Sequence, residues 1–178
     1  MKIAICQINP IVGDFDYNHN LLLKYYKNSI GLNADIVVFP ELIISGYPPQ
    51  DLLWEDGFVD QNLLILNEIA SVSSTPLIFG FVRKENGRLF NSAAVCFDGK
   101  LQSTTDKILL PTYDVFDEER YFTSGDEPKV VPIPVKGKQV NLGVQICEDL
   151  WDHHYDCKVS QIQKDKGADI LINISASP

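Results

Sequence analysis

Short apolar runs set between turn residues recur along this chain. Ile3-Ala4-Ile5-Cys6 opens it, Ala34-Asp35-Ile36-Val37-Val38-Phe39 follows, and Ala168-Asp169-Ile170-Leu171-Ile172-Asn173-Ile174 comes near the end. Runs of this length, rich in β-branched residues, predict buried strands over 2–7, 34–39 and 168–174. Between them the period changes from two to 3.6. Tyr17, Leu21, Leu22, Tyr25 and Ile30 share one helical face, which predicts a helix over 17–30. Asp14 or Asp16 can cap it and Gly31 can stop it. Leu63, Leu64, Leu66, Ile69 and Ala70 predict a second helix over 58–72. A third is expected over 152–166, ended by Gly167.

The middle of the chain reads as hairpins. A strand over 76–82 meets one over 89–97 across a turn holding an Asn-Gly pair, Asn86-Gly87. Asp98-Gly99 then turns into a strand over 101–105. Strands over 130–135 and 140–146 pair across Lys136-Gly137-Lys138. Residues 108–125 lack a period but carry Tyr113, Phe116, Tyr121 and Phe122. A long aromatic loop inside a compact domain points to function. The Ala-Asp-Ile stretches at 34–36 and 168–170 each follow a helical segment. This echo suggests that two helix-strand units sit alike in one α/β framework.

At 178 residues the chain is one domain's worth, long enough for a substantial core. Its net charge is −9 and its pI about 4.7, with no run of basic residues longer than two. Nucleic acid and anionic membrane are therefore not expected as partners. No apolar run reaches membrane-spanning length, and the first strand is too short for a secretory signal. Cys6, Cys96, Cys147 and Cys157 have no framework spacing, so reduced thiols and a cytoplasmic setting are expected.

The chemistry centres on Val140-Asn141-Leu142-Gly143-Val144-Gln145-Ile146-Cys147-Glu148-Asp149-Leu150-Trp151. A buried strand ends abruptly in Cys147, before a helix-like segment. Such a turn can aim a thiol at substrate beside free backbone N–H groups. A thiol in this place can equally be a small core hydrophobe. To act as a nucleophile it needs a base and a charge environment. His19, His153 and His154 are one possibility, and a zinc site from Cys147, His153, His154 and Cys157 lacks the usual paired spacing. Glu41 is better placed. It follows four apolar residues and Pro40, where a carboxylate is expensive without a partner, and desolvation suits it to taking a proton. Lys107, at another strand end, could lower the thiol's pKa and stabilise an oxyanion. Each also reads as an ordinary strand-end charge, and Glu118 lies in an acidic run that by itself suggests a wet surface.

Three stretches then resemble one family. Val38-Phe39-Pro40-Glu41-Leu42 with Ser45-Gly46-Tyr47, Asp106-Lys107-Ile108-Leu109-Leu110-Pro111, and Gln145-Ile146-Cys147-Glu148-Asp149 are similar to the signature stretches of the nitrilase, or carbon-nitrogen hydrolase, superfamily, in the same order. Within it, Gly46-Tyr47-Pro48-Pro49-Gln50-Asp51-Leu52-Leu53, the run from Leu110 through Tyr113 and Glu118 to Phe122, Cys147-Glu148-Asp149-Leu150-Trp151 and Asn173-Ile174-Ser175-Ala176-Ser177-Pro178 resemble the glutaminase domains of glutamine-dependent NAD synthetases. The resemblance implies a four-layer α-β-β-α sandwich, C-terminally incomplete here, and a Glu-Lys-Cys triad.

On that basis Glu41 is the general base, Lys107 stabilises the tetrahedral intermediate and Cys147 attacks the side-chain amide of glutamine. Glu118 supports the lysine and the substrate amide, and the Glu148 N–H helps hold the oxyanion. Tyr47, Tyr113, Glu148 and Ser175 are expected to grip the amino-acid end. No metal or cofactor is implied for this domain. ATP, Mg and deamido-NAD would belong to a synthetase domain outside the chain, which is expected to be an N-terminal fragment (1–178) of a homo-oligomer. A stand-alone amidase acting on another small amide or nitrile, and a non-enzymatic α/β binding domain, are the alternatives.

Overall fold

A computed structural model describes residues 1–176. Ser177 and Pro178, the end of the Asn173-to-Pro178 stretch, lie outside the described residues. The elements in chain order are β1 (Ile3–Ile5), α1 (Phe15–Gly31), β2 (Ile36–Val38), α2 (Phe58–Ser71), β3 (Leu77–Glu85), β4 (Arg88–Phe97), β5 (Lys100–Asp106), β6 (Val130–Val135), β7 (Lys138–Ile146), α3 (Val159–Asp165) and β8 (Ile170–Ile174). The strands form two sheets, one ordered β1-β2-β3-β4-β5 and the other β6-β7-β8. The first three strands run parallel, as do β7 and β8, while the remaining pairs are antiparallel.

The period-2 pattern explains the layering. In β2, Ile36 and Val38 face the second sheet, where they meet Val144, Ile146, Ile172 and Ile174. Val37 points the other way and joins Phe79 and Phe81 of β3 beneath Leu22 and Tyr26 of α1 and Ile65 and Ile69 of α2. Buried on both faces, β2 reads as an unbroken apolar run. On the far side of the second sheet, Gln163 of α3 is fully buried. Its amide donates to the Val144 carbonyl at 2.9 Å, and its oxygen accepts from Gln145 at 3.0 Å. The layers are therefore α-β-β-α, with α3 the only helix of the fourth layer among the described residues.

The structure moves several boundaries. Asp14 caps α1, accepting from the Tyr17 N–H at 3.0 Å, and the helix runs through Gly31 to Leu32. Its buried stripe is Asn18, Leu22, Tyr26 and Ser29; Tyr17 and Tyr25 are exposed. Asn18 goes inside because its side chain bonds the Ile11 N–H and carbonyl and the Ile44 carbonyl. In α2, Leu64 is likewise exposed, and Asn62 is buried through a paired bond to the Val82 backbone. The third helix starts seven residues later than its composition suggests. The Asp152 carboxylate accepts from the Ser160 N–H, and the Lys158 ammonium takes the carbonyls of Asp152 and His153, so residues 152–154 close as a separate 3₁₀ turn.

Candidate active site

Four of the residues singled out in the sequence converge, three delivered by the ends of strands and Glu118 by the long loop. Three residues beyond β2 the backbone turns sharply. Glu41 is buried there with no exposure, and Leu42 takes a left-handed φ of 45°. The neighbouring strand leaves no room for a side chain. A Cβ on Gly80 of β3 would lie 2.1 Å from the Leu42 nitrogen, so only glycine lets β3 approach this turn.

Lys107 follows β5 directly. Its N–H donates to the Asn91 carbonyl at 2.8 Å and its carbonyl accepts from the Gly125 N–H at 2.8 Å. Its ammonium is fully buried, 2.8 Å from Glu41 Oε1 and 2.7 Å from Glu118 Oε1. Burial pulls the ammonium down, and the Glu41 and Glu118 charges outweigh it, so the pKa is raised. Glu118 is not on a wet surface. A 3₁₀ turn, Glu118–Arg120, folds it inward to 4% exposure, where Tyr47 donates to its Oε1 at 2.9 Å. Burial raises its pKa despite the pull of Lys107. Its Oε2 is buried without a hydrogen-bond partner among the described residues.

Cys147 begins the 3₁₀ turn Cys147–Leu150 with a φ of 45°, a strained value for a residue with a Cβ. The thiol is 8% exposed. Its pKa is pushed up to about 11, by burial first and then by the Glu41 charge; Lys107 and a hydrogen bond with Ser175 pull the other way. Lysine does lower the thiol's pKa, as the sequence suggested, but its pull is outweighed. Ser175 thus touches the Cys147 thiol itself. Glu148 is also buried, and both its oxygens are taken: Tyr113 donates to Oε2 at 2.8 Å and Tyr155 to Oε1 at 2.9 Å. Tyr47 is half-enclosed, and burial together with the Glu118 and Glu41 charges raises its pKa.

Asn91 and Tyr155 were not singled out. Asn91, buried in β4, donates to Glu41 Oε1 at 2.7 Å while its own backbone carbonyl holds Lys107. The remaining Glu41 oxygen accepts from the Ala176 N–H at 3.1 Å. The histidines play no such part. His153 and His154 are exposed and stack on each other at 4.0 Å, and His19 faces Glu68 at 3.7 Å. Among the described residues no three His, Cys, Asp or Glu side chains gather as a metal site, and all four cysteines are free thiols. A cleft of about 850 Å³ opens beside the cluster, bounded by Tyr47, Phe116, Glu118 and Ser175. No helix among the described residues is long and apolar enough to cross a membrane.

A buried Glu-Lys-Cys cluster lies where the ends of two stacked sheets meet. The chain belongs to the carbon-nitrogen hydrolase family, whose model matches residues 2–178. It is 34% identical to the glutamine-dependent NAD(+) synthetase of Thermotoga maritima, over all of this chain and 30% of that protein. It is 37% identical to the enzyme of that name from Xanthomonas campestris pv. campestris, over all of this chain and 32% of that one. Among solved structures, the glutamine-dependent NAD+ synthetase of Acinetobacter baumannii, in complex with ADP, matches 99% of this chain and 32% of its own with a TM-score of 0.88 at 31% identity. An amidase from Nesterenkonia sp. shares the fold, with a TM-score of 0.83 at 20% identity. The chain spans about a third of the length of the curated relatives it matches.

Proposed function

We propose that this chain is a glutamine-hydrolysing unit that supplies ammonia to a synthetase unit converting deamido-NAD to NAD. The observation that carries the chemistry is Lys107, fixed between two buried carboxylates beside a buried thiol on a strained turn. The relatives, named as glutamine-dependent synthetases over the whole of this chain, supply the substrate.

Glu41, Lys107 and Cys147 are assigned the catalytic roles. Cys147 Sγ attacks the side-chain amide carbon of glutamine while its proton passes to Glu41. The C=O electron pair moves onto oxygen, stabilised by Lys107 and the Glu148 N–H. Glu41 returns the proton to nitrogen, the C–N bond breaks and ammonia leaves a γ-glutamyl thioester. Water, deprotonated by Glu41, adds to the thioester carbon, and the thiolate departs, retaking a proton as glutamate is released. Two easier steps replace one difficult cleavage. The unpartnered Glu118 Oε2 is suited to accept an N–H of the substrate amide. Tyr47 and Ser175, which border the cleft, and the hydrogen-bonded pair Tyr113 and Glu148 are assigned to the amino-acid end. The Glu148 charge, steadied by two phenols, is the natural partner of an α-ammonium. ATP, Mg and deamido-NAD would be bound by the synthetase unit and not by these residues, and a homo-oligomeric cytoplasmic assembly completes the proposal.

An electrophilic analogue of glutamine tests it, with peptide mass spectrometry across the four cysteines. Labelling confined to Cys147 and suppressed by excess glutamine is expected. Uniform labelling, or none on a folded protein, overturns the assignment.

A further inference from the structure

Asp149 belongs to none of these assignments, yet it is 1% exposed and its carboxylate spans two segments of the site. Oδ1 accepts the N–H groups of Ile108 at 3.0 Å and Leu109 at 2.9 Å, the two residues after Lys107. Oδ2 accepts the N–H of Ile146 at 3.1 Å, the residue before Cys147. One side chain thereby closes a bridge between the loop that delivers the ammonium and the turn that delivers the thiol. Only an ionised carboxylate accepts all three. An asparagine in its place keeps the acceptor for Ile108 and Leu109 and turns an NH₂ donor against the Ile146 N–H.

The charge is held against the fold's own preference. Burial pushes the Asp149 pKa up to about 6, although the backbone bonds from Leu109, Ile146 and Ile108 and the Lys107 charge pull it down. Its ordinary value is 3.8, so between that and about 6 the folded chain keeps a proton that the unfolded chain releases. Stability therefore falls as pH rises through this window. Lys107 acts on this carboxylate, and burial first, then the Asp149 charge, pushes the Cys157 thiol up.

We infer that Asp149 is a positioning residue, whose three backbone hydrogen bonds fix the register of Lys107 against Cys147. Its effect on turnover rests on the proposed glutaminase reaction; the bridge itself can be read without substrate.

The test compares the native chain with Asp149→Asn in three measurements: thermal unfolding at pH 8, steady-state glutamine hydrolysis, and the rate at which iodoacetamide alkylates each cysteine. The relief of a buried charge offsets the Ile146 bond that the variant loses, so the midpoint of unfolding stays within a few degrees of the native one. Misplacing the reacting groups lowers kcat roughly 100-fold with KM within about 3-fold of native. Alkylation of Cys147 slows as Lys107 drifts, while Cys6 and Cys96 are unchanged and Cys157, relieved of the Asp149 charge, reacts no more slowly. A kcat loss that follows a lowered unfolding midpoint, or native kcat with native Cys147 alkylation, overturns the inference. If the native chain does not hydrolyse glutamine, the proposed function fails, and the alkylation and unfolding arms still decide the role of Asp149.

Discussion

Lys107 is the keystone of the buried cluster. Two carboxylates meet its ammonium in a space without water access. Removing one partner of a buried ionic cluster strands the others, at about 3–5 kcal/mol. Lys107→Met should therefore destabilise the chain by about that amount in urea unfolding at pH 8. The loss should shrink towards pH 5, because Glu118, whose pKa is already raised, can then bind a proton instead of facing Glu41 as an anion. Asn91→Leu removes the donor to Glu41 while keeping the volume. It should lower glutamine turnover on the order of 100-fold with Cys147 still open to the glutamine analogue. Glu41 and Cys147 were legible because each stands where an apolar run stops, and Lys107 because it ends a strand just before Ile108-Leu109-Leu110. Glu118 was legible only through its motif, since its acidic surroundings in the sequence gave no hint of burial. Asn91 had a signal that went unused: an amide in the interior of the apolar run Phe90 to Phe97 needs a buried partner.

At the scale of elements, strands were more readable than helices. A run buried on both faces, such as β2, carries its meaning in every residue. The helices bury asparagines that pair with backbone, so a stripe drawn from hydrophobic residues alone points partly outward. The echoed Ala-Asp-Ile stretches turn out to be one device used twice. The Asp35 carboxylate accepts the Lys2 N–H while its own N–H bonds the Lys2 carbonyl, and Asp169 does the same with Asn141. Each aspartate thus clasps the residue just before the parallel pairing with its neighbour begins. A hydrogen bond from Lys136, then the one from Lys2, holds the Asp35 pKa below its ordinary 3.8. A lowered acid contributes stability above its unfolded pKa and loses it on acidification. Asp35→Ala should accordingly speed amide exchange in β1 at pH 7, with the difference from native fading as the pH falls below that of the free acid. Gly80→Ala belongs to this scale as well. A methyl group driven into the Glu41 turn should cost at least about 3 kcal/mol, measured as a lowered unfolding midpoint and a smaller soluble yield.

Across the whole molecule, the two-sheet arrangement gathers side chains from both sheets and from the long loop between them. Glu41 and Lys107 come from the ends of β2 and β5 in one sheet, Cys147 from the end of β7 in the other, and Glu118 from the segment joining the two. Local pattern could mark each part as unusual, but not that sheet stacking would set the thiol close enough to Glu41 and Lys107 to feel their charges. Their meeting has a further effect on the protein at rest. With a pKa near 11, Cys147 is almost wholly a protonated thiol at neutral pH. Peroxide and other oxidants react with the thiolate. A thiol that stays protonated until a base takes its proton has little exposure to them. The idle protein should then survive oxidative stress that silences enzymes with permanently ionised cysteines. Timed exposure to hydrogen peroxide at pH 7.5, followed by mass spectrometry of the Cys147 peptide, should find it still reduced long after a free surface thiol has been lost.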